Sequence, residues 1–169
     1  KTIQAAMDDD RVKAFHVVHV KPGTYATGGR TEGSSSVTKS RVVMKSRVVL
    51  ESTDGPSVTT IKGEAGCRCV FVKADCILRG FTLEGGQTDL SAASTGDANR
   101  HGGGVWGDKA TVIGCIIRNC KAERGGGEYG STAFIRCQFL GNTRTSLASS
   151  GVNGSFYTCL FVSGDSYAL

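Results

Sequence analysis

Short runs of alternating apolar and polar residues recur along this chain at a fixed spacing. Three of them, GCIIRN, RCQFLGN and TCLFVSG, place Cys115, Cys137 and Cys159 at intervals of 22 residues. A second set of tetrapeptides, each bracketed by glycines, keeps intervals of 23 and 24 residues and lies at 104–107, 127–130 and 151–154. Two patterns in step indicate an internal repeat built from short strands and glycine turns.

A repeat of this length without a helical segment is typical of a parallel β-solenoid, in which each repeat forms one coil. The length of the chain allows about six coils of about 22 residues. The expected fold class is therefore all-β.

Alternation within each run predicts which side chains face the core. If the cysteine points inward, the residue two positions later also points inward, and the next residue points outward. The inward set comprises Leu78, Ile117, Phe139 and Phe161, and the outward set comprises Arg79, Arg118, Leu140 and Val162. The inward set is uniformly large and apolar, as a packed core requires.

Cys76 heads the same pattern as the later cysteines, so we assign it to the same column. The 39 residues from Cys76 to Cys115 exceed one 22-residue period by 17, and the excess is polar and rich in turn residues. Residues 86–103 are therefore predicted to form a loop inserted into one coil. Insertions of this kind lie on one side of a solenoid and often build its binding face.

The first residues follow a helical pattern instead. Ile3, Ala6 and Met7 have helical spacing, and Thr2 is suited to cap the first turn. We predict a short capping α-helix within residues 1–14, which covers strand edges that would otherwise be unpaired. Residues 15–169 then form the coils of a single domain.

Composition narrows the class of protein further. Glycine is frequent, with 24 residues in 169, and the recurrent apolar runs argue against a disordered chain. The net charge of +5 comes from scattered basic residues, so no nucleic-acid partner is predicted. No membrane span is predicted, because the apolar runs are far shorter than about 18 residues. The abrupt ends at Lys1 and Leu169 indicate a fragment, with further coils or domains expected after Leu169.

Seven cysteines are compatible with disulfides, a metal site or a buried column. Zinc sites need close ligand pairs, whereas only Cys67 and Cys69 are close in sequence, so no metal site is predicted. Equivalent residues of successive coils stack about 4.8 Å apart, and side chains that point the same way suit a ladder of free thiols better than a disulfide. We predict no cofactor. The sequence has no calcium-binding motif, but it does not exclude calcium as a ligand.

Several strings in this chain resemble right-handed parallel β-helix proteins of the pectin-lyase-like superfamily, in particular bacterial secreted or surface-displayed ones. They are TIQAAMD, VKPGTY, RVVLESTDGP, CRCVF, ILRGFTLEGG, GGGVWG and CIIRNCKAERGGGEYG, and they are most specific over 16–25 and 47–140. The resemblance implies a right-handed, three-sheet coil, an N-terminal cap and an extracellular or cell-surface location. It does not imply a reaction, because the superfamily holds lyases, hydrolases and proteins without known catalysis.

The sequence offers candidate residues for two enzyme classes. A polysaccharide lyase needs a base and a cation for the sugar carboxylate, and Arg79, Arg118 and Arg136 are its candidates. The pattern predicts Arg79 and Arg118 on one outward ladder, where they also serve as solvated surface residues. A glycoside hydrolase needs two facing carboxylates, for which Glu84, Asp108, Glu123 and Glu128 are unevenly spaced.

The inserted loop and its neighbours provide the candidate binding residues. The loop combines acid, amide, cation and imidazole groups, and Trp106 with Tyr129 one coil later suggests an aromatic platform for sugar rings. The full set is Asp97, Asn99, Arg100, His101, Trp106, Asp108 and Tyr129. The alternative for the two aromatic residues is packing at a corner beneath the loop.

These patterns favour a non-catalytic secreted or cell-surface module that binds a polysaccharide or a partner at the cell surface. One alternative is the N-terminal part of a polysaccharide lyase that acts on acidic polysaccharide by β-elimination. A second alternative is an inert structural spacer of a surface protein.

Overall fold

The described part of the chain is mostly β-strand arranged in parallel sheets, which places the protein in the all-β class. The computed structural model describes residues 1–32, 38–89, 97–144 and 154–162. Within these ranges, no helix has the length and apolar character needed to cross a membrane.

Two short helices and nineteen strands are assigned within the described ranges. They are α1 (Ile3–Asp8), β1 (Val17–Val20), β2 (Gly23–Tyr25), β3 (Arg30–Thr31), β4 (Lys39–Val43), β5 (Val49–Ser52), β6 (Thr59–Lys62), β7 (Cys67–Val72), β8 (Ile77–Arg79), β9 (Thr82–Glu84), α2 (Asp97–Arg100), β10 (Val105–Gly107), β11 (Thr111–Ile113), β12 (Ile116–Arg118), β13 (Lys121–Ala122), β14 (Glu128–Tyr129), β15 (Ala133–Ile135), β16 (Gln138–Leu140), β17 (Thr143–Arg144), β18 (Ser155–Tyr157) and β19 (Leu160–Val162).

Successive strands enter three sheets in turn. The first sheet has the order β1-β5-β8-β11-β15-β18, and the second has the order β2-β6-β9-β12-β16-β19. The third has the order β3-β4-β7-β10-β14, and β13 pairs with β17 beside it. All of these pairs are parallel except β3 with β4. Each repeat therefore contributes one strand to each sheet, and hydrogen bonds join each strand to its equivalent in the next repeat.

Left-handed residues form the corners between sheets. Between the first and second sheets this residue is Gly80, Gly114, Arg136 or Thr158, with φ between 52° and 74°. The corner backbone pairs with the next repeat, since the amide of Gly80 donates to Ile113 and that of Gly114 donates to Ile135. Asn119 occupies a left-handed corner between the second and third sheets, as asparagine tolerates this conformation better than most residues.

The core consists of three columns of in-register side chains, one from each sheet. The first sheet contributes Leu50, Leu78, Val112 and Phe134; the second contributes Ile61, Leu83, Ile117 and Phe139; the third contributes Val42, Val70 and Val105. Phe139 is 7% exposed and the other side chains are fully buried. The predicted inward positions 78, 117 and 139 are confirmed, whereas Phe161 at the last described strand is 43% exposed.

The assignment of Cys76 to the column of Cys115 is wrong. Cys76 precedes β8 in the first sheet, whereas Cys115 precedes β12 in the second. The residue equivalent to Cys115 in the preceding repeat is Phe81, because Thr82 pairs with Ile116. Apolar alternation is the same in all three sheets, so a single strand pattern does not identify its sheet.

All seven cysteines are free thiols. Cys115, Cys137 and Cys159 follow one another in the column, as the period predicts, and Cys115 accepts a hydrogen bond from the amide of Phe81. Burial raises the pKa of Cys115 to about 12 and that of Cys137 to about 11. These thiols are therefore uncharged at neutral pH and pack as small apolar groups.

Helix α1 covers β4, the first parallel strand of the third sheet. Thr2 caps the helix by accepting a hydrogen bond from the Ala5 amide, and Ile3 and Met7 are buried. The Gln4 side chain accepts a 2.7 Å hydrogen bond from the amide of Val43, which would otherwise be unpaired at this edge. The predicted N-terminal helix is confirmed, but it ends at Asp8 and is shorter than residues 1–14.

A long interval between equivalent strands lies where the inserted loop is predicted. Ile77 pairs with Thr111, 34 residues later, whereas Thr111 pairs with Ala133 after 22 residues. The extra length is therefore 12 residues and not 17, and it lies between β9 and β10. Residues 90–96 of the predicted loop lie outside the described residues.

The neighbouring residues Ile116 and Ile117 test the inward column. Ile117 is fully buried, and Ile116 faces outward and is half-buried. We expect Ile117→Ala to lower the free energy of unfolding by about 2–5 kcal/mol, and Ile116→Ala to lower it by about 1 kcal/mol or less. Urea denaturation of both variants measures the difference, and equal losses would contradict the assigned faces.

Candidate functional site

An aromatic ladder runs across the outer face of the third sheet. Phe71 pairs in register with Trp106, and Trp106 pairs with Tyr129. The ladder faces outward because the preceding residues of β7 and β10, Val70 and Val105, point into the core. All three rings are partly exposed.

Trp106 is held on two sides by its neighbours. Its ring centroid lies 4.7 Å from that of Phe71, with an angle of 58° between the rings. The Cζ atom of Arg68 lies over the indole, 4.7 Å from its centroid, which is a cation–π contact. Burial lowers the pKa of Arg68 to about 9. These contacts fix the orientation of the indole before any ligand arrives.

A groove of about 490 Å³ opens beside this ladder. Its lining combines aromatic rings, small residues and charged groups of both signs, and consists of Glu32, Ser46, Phe71, Val72, Lys73, Ala74, Trp106, Gly107, Asp108 and Lys109. Trp106 and Asp108 belong to the predicted binding set, and the groove brings them together. The groove is a shallow depression that is largely open to solvent.

Three of the charged side chains at the groove have partners within the chain. Lys73 Nζ lies 2.6 Å from Glu32 Oε1, and Arg30 Nη2 lies 3.4 Å from the other oxygen of Glu32. Asp108 Oδ1 accepts hydrogen bonds of 2.9 Å from both the amide and the hydroxyl of Ser131. The side chains of Glu32, Lys73 and Asp108 are therefore held in position by partners from the same chain.

Most of the residues predicted in the inserted loop have structural contacts. Asn99 is 1% exposed, and its side chain and backbone oxygens accept hydrogen bonds from the amide and hydroxyl of Thr38. Arg100 forms an ion pair with Glu123. The side chain of Asp97 lies outside the described residues. These contacts attach the inserted segment to the third sheet.

The two rings at the far end of the ladder pack against each other. His101 is 2% exposed, and its ring centroid lies 4.1 Å from that of Tyr129. For Tyr129, the predicted alternative of packing at a corner beneath the loop therefore describes the structure better than an open aromatic platform does. Trp106, by contrast, reaches the groove.

The three candidate lyase arginines do not form one site. Arg79 lies on the first sheet and pairs with Glu51 at 3.4 Å, and Arg118 lies on the second sheet and pairs with Glu84 at 2.9 Å. Arg136 is an exposed left-handed corner residue. The predicted single ladder of Arg79 and Arg118 is wrong, because Cys76 and Cys115 head strands of different sheets.

The four acidic candidates for hydrolysis are also separated. Asp108 lines the groove, Glu84 lies on the second sheet, and Glu123 pairs with Arg100. Glu128 points inward, since it pairs in register with Val105, and is 3% exposed. Because Glu128 is buried and Glu84 and Glu123 are ion-paired, none of these three carboxylates is available as the catalytic partner of Asp108.

The described ranges contain no group of three or more histidine, cysteine or acidic side chains positioned to hold a metal ion.

Phe71 and Glu32 are among the groove residues that the sequence did not predict. The strings VFVK at 70–73 and VWGDK at 105–109 share an aromatic residue followed by a lysine, and this similarity could have identified Phe71. Glu32 has no comparable signal, because it reaches the groove from a short antiparallel strand.

No protein-family model, no curated protein and no solved structure matches this chain. The relationship to the pectin-lyase-like superfamily therefore stays a prediction from the sequence strings.

Glu128 provides a test of the inward column through pH. Burial raises the pKa of Glu128 to about 8, the amide of Gly154 partly offsets this rise, and Asp108 adds to it. Glu128 is therefore protonated in the folded chain between pH 5 and 8, where it has lost its proton in the unfolded chain. Unfolding then releases a proton, so its contribution to stability falls as pH rises to about 8, by at most about 1.4 kcal/mol per pH unit.

We expect Glu128→Gln to reduce the fall in stability between pH 5.5 and 7.5, because glutamine does not titrate. Urea denaturation at the two pH values measures the change. Glu84→Gln is the matched control on the second sheet and should keep the pH dependence of the unsubstituted protein. An unchanged pH dependence in Glu128→Gln would contradict the buried, protonated carboxyl.

Proposed function

We propose that the three sheets form a right-handed parallel β-helix of the pectin-lyase-like type. Their cyclic order supports this proposal, since successive strands enter the first, second and third sheets in turn. Right-handedness is the expected choice, because crossover connections between parallel strands of one sheet are right-handed in about 98% of cases.

The proposed function is carbohydrate binding by a non-catalytic secreted or cell-surface module. The observation that carries it is the groove beside Phe71 and Trp106, where partly exposed aromatic rings adjoin paired charged groups. Sugar rings present apolar C–H faces and peripheral hydroxyl groups, so a site that combines aromatic rings with fixed donors and acceptors suits them. The secreted or surface location is proposed from the resemblance in sequence alone.

Binding without turnover is the preferred form of this function. Arg79 and Arg118 lie on separate sheets, and each is paired with a glutamate. They therefore do not form the common site that a lyase mechanism would need. The groove holds Asp108 and Glu32, and both are already bound by partners, Ser131 and Lys73 respectively.

Retention on immobilised polysaccharides, both acidic and neutral, tests this proposal. We expect Trp106→Ala to lower the affinity for a retained glycan by about tenfold or more, since an aromatic stacking contact contributes roughly 1–2 kcal/mol. Affinity electrophoresis measures the retention, and absorbance of unsaturated products measures any β-elimination.

Tyr157→Ala is the matched control, because Tyr157 is a 57% exposed aromatic residue on the first sheet, away from the groove. This variant should bind as the unsubstituted protein does. Unsaturated product would favour the lyase instead. No retention on any glycan would contradict carbohydrate binding and favour the inert spacer.

A further inference from the structure

The charged side chains that line the groove balance one another. Lys73 and Lys109 carry positive charges, and Glu32 and Asp108 carry negative charges. A groove designed for an acidic saccharide would present an excess of cations to the sugar carboxylates. The balance of charge here favours ligands without net charge.

Glu32 is the residue that neutralises the groove at Lys73. The 2.6 Å contact joins Lys73 Nζ to Glu32 Oε1, and the two side chains are 32% and 29% exposed. A carboxylate of the same chain therefore occupies the position at which a sugar carboxylate would pair with this ammonium group.

The position of Glu32 is fixed by a network of alternating charges. Arg30 pairs with Glu32 at 3.4 Å and with Asp8 at 3.1 Å, through different guanidinium nitrogens. Arg30 also begins β3, which pairs antiparallel with β4 through Arg30 and Ser40. Asp8 ends helix α1. The N-terminal segment thus contacts one oxygen of the Glu32 carboxylate through Arg30, and Lys73 contacts the other oxygen.

We propose that Glu32 determines the specificity of the groove, admitting uncharged saccharides and excluding saccharides that carry carboxylates. This inference rests on the proposed carbohydrate-binding function and names the ligand class of the same site. An acidic saccharide that pairs with Lys73 must displace Glu32 and approach two carboxylates. An uncharged saccharide instead uses hydroxyl groups that accept from lysine and donate to carboxylates.

Matched pairs of glycans that differ in carboxylates test the inference. The probes are hydroxyethylcellulose against carboxymethylcellulose, and highly methyl-esterified pectin against polygalacturonate. Affinity electrophoresis at low and at high salt gives the affinity for each probe. For the unsubstituted protein we expect retention by an uncharged member, weaker retention by its acidic partner, and little dependence on salt.

Glu32→Gln should raise the affinity for the acidic member of the pair by about tenfold at low salt, because Lys73 is then available to a ligand carboxylate. The gain should disappear at high salt and in the double variant Glu32→Gln, Lys73→Met. Glu51→Gln is the matched control, since Glu51 is 28% exposed, pairs with Arg79 and lies on the first sheet. It removes the same charge and should leave the preference unchanged.

The unsubstituted protein could retain an acidic glycan as strongly as its uncharged partner, with Trp106→Ala abolishing both. This result would overturn the role of Glu32 but would still support carbohydrate binding in the groove. An equal gain in Glu32→Gln and Glu51→Gln would also overturn it, since net charge alone would then explain the effect. Absence of retention on every probe, in the unsubstituted protein and in Glu32→Gln, would overturn both proposals.

Discussion

In-register parallel pairing between equivalent strands is the constraint on which this structure depends. Each strand bonds to the strand one repeat later, so side chains at equivalent positions stack about 4.8 Å apart. Each side chain must therefore pack against the side chains at the equivalent positions of the strands before and after it. The apolar columns of Leu83 and Ile117, and of Val70 and Val105, satisfy this requirement inside the core. Left-handed corner residues such as Gly114 maintain the register where the chain passes between sheets.

The same register builds the outer face. Because Val70 and Val105 point inward, Phe71 and Trp106 point outward and stack as neighbours. Several described segments depart from the 22-residue repeat, and two of them adjoin the third sheet. The inserted segment before β10 is attached through Asn99, and strand β3 delivers Glu32 to the groove. The parallel strands β7 and β10 thus provide the aromatic face, and the irregular segment at β3 adds the carboxylate of Glu32.

Much of the architecture was predictable from sequence because each repeat shows the same spacing and the same alternation of apolar and polar residues. The period of Cys115 and Cys137, the inward positions and the cap at Thr2 all follow from spacing and alternation. The sheet to which a strand belongs was not predictable from the pattern of that strand alone. The wrong assignment of Cys76 arose from this ambiguity, and it placed Arg79 and Arg118 on the same predicted ladder. The contact of Glu32 with Lys73 was hidden as well, because it joins residues 41 positions apart through a strand of two residues.

Trp106 is the only tryptophan of the chain, so its fluorescence reports directly on the groove. The decisive measurement is a titration of tryptophan emission and acrylamide quenching with an uncharged saccharide that the protein retains. Binding in the groove predicts a saturable change in emission and protection of the indole from the quencher, with the same midpoint as retention. A saccharide that binds while both signals stay constant would show that the ligand lies elsewhere and would contradict the assignment of the groove as the binding site.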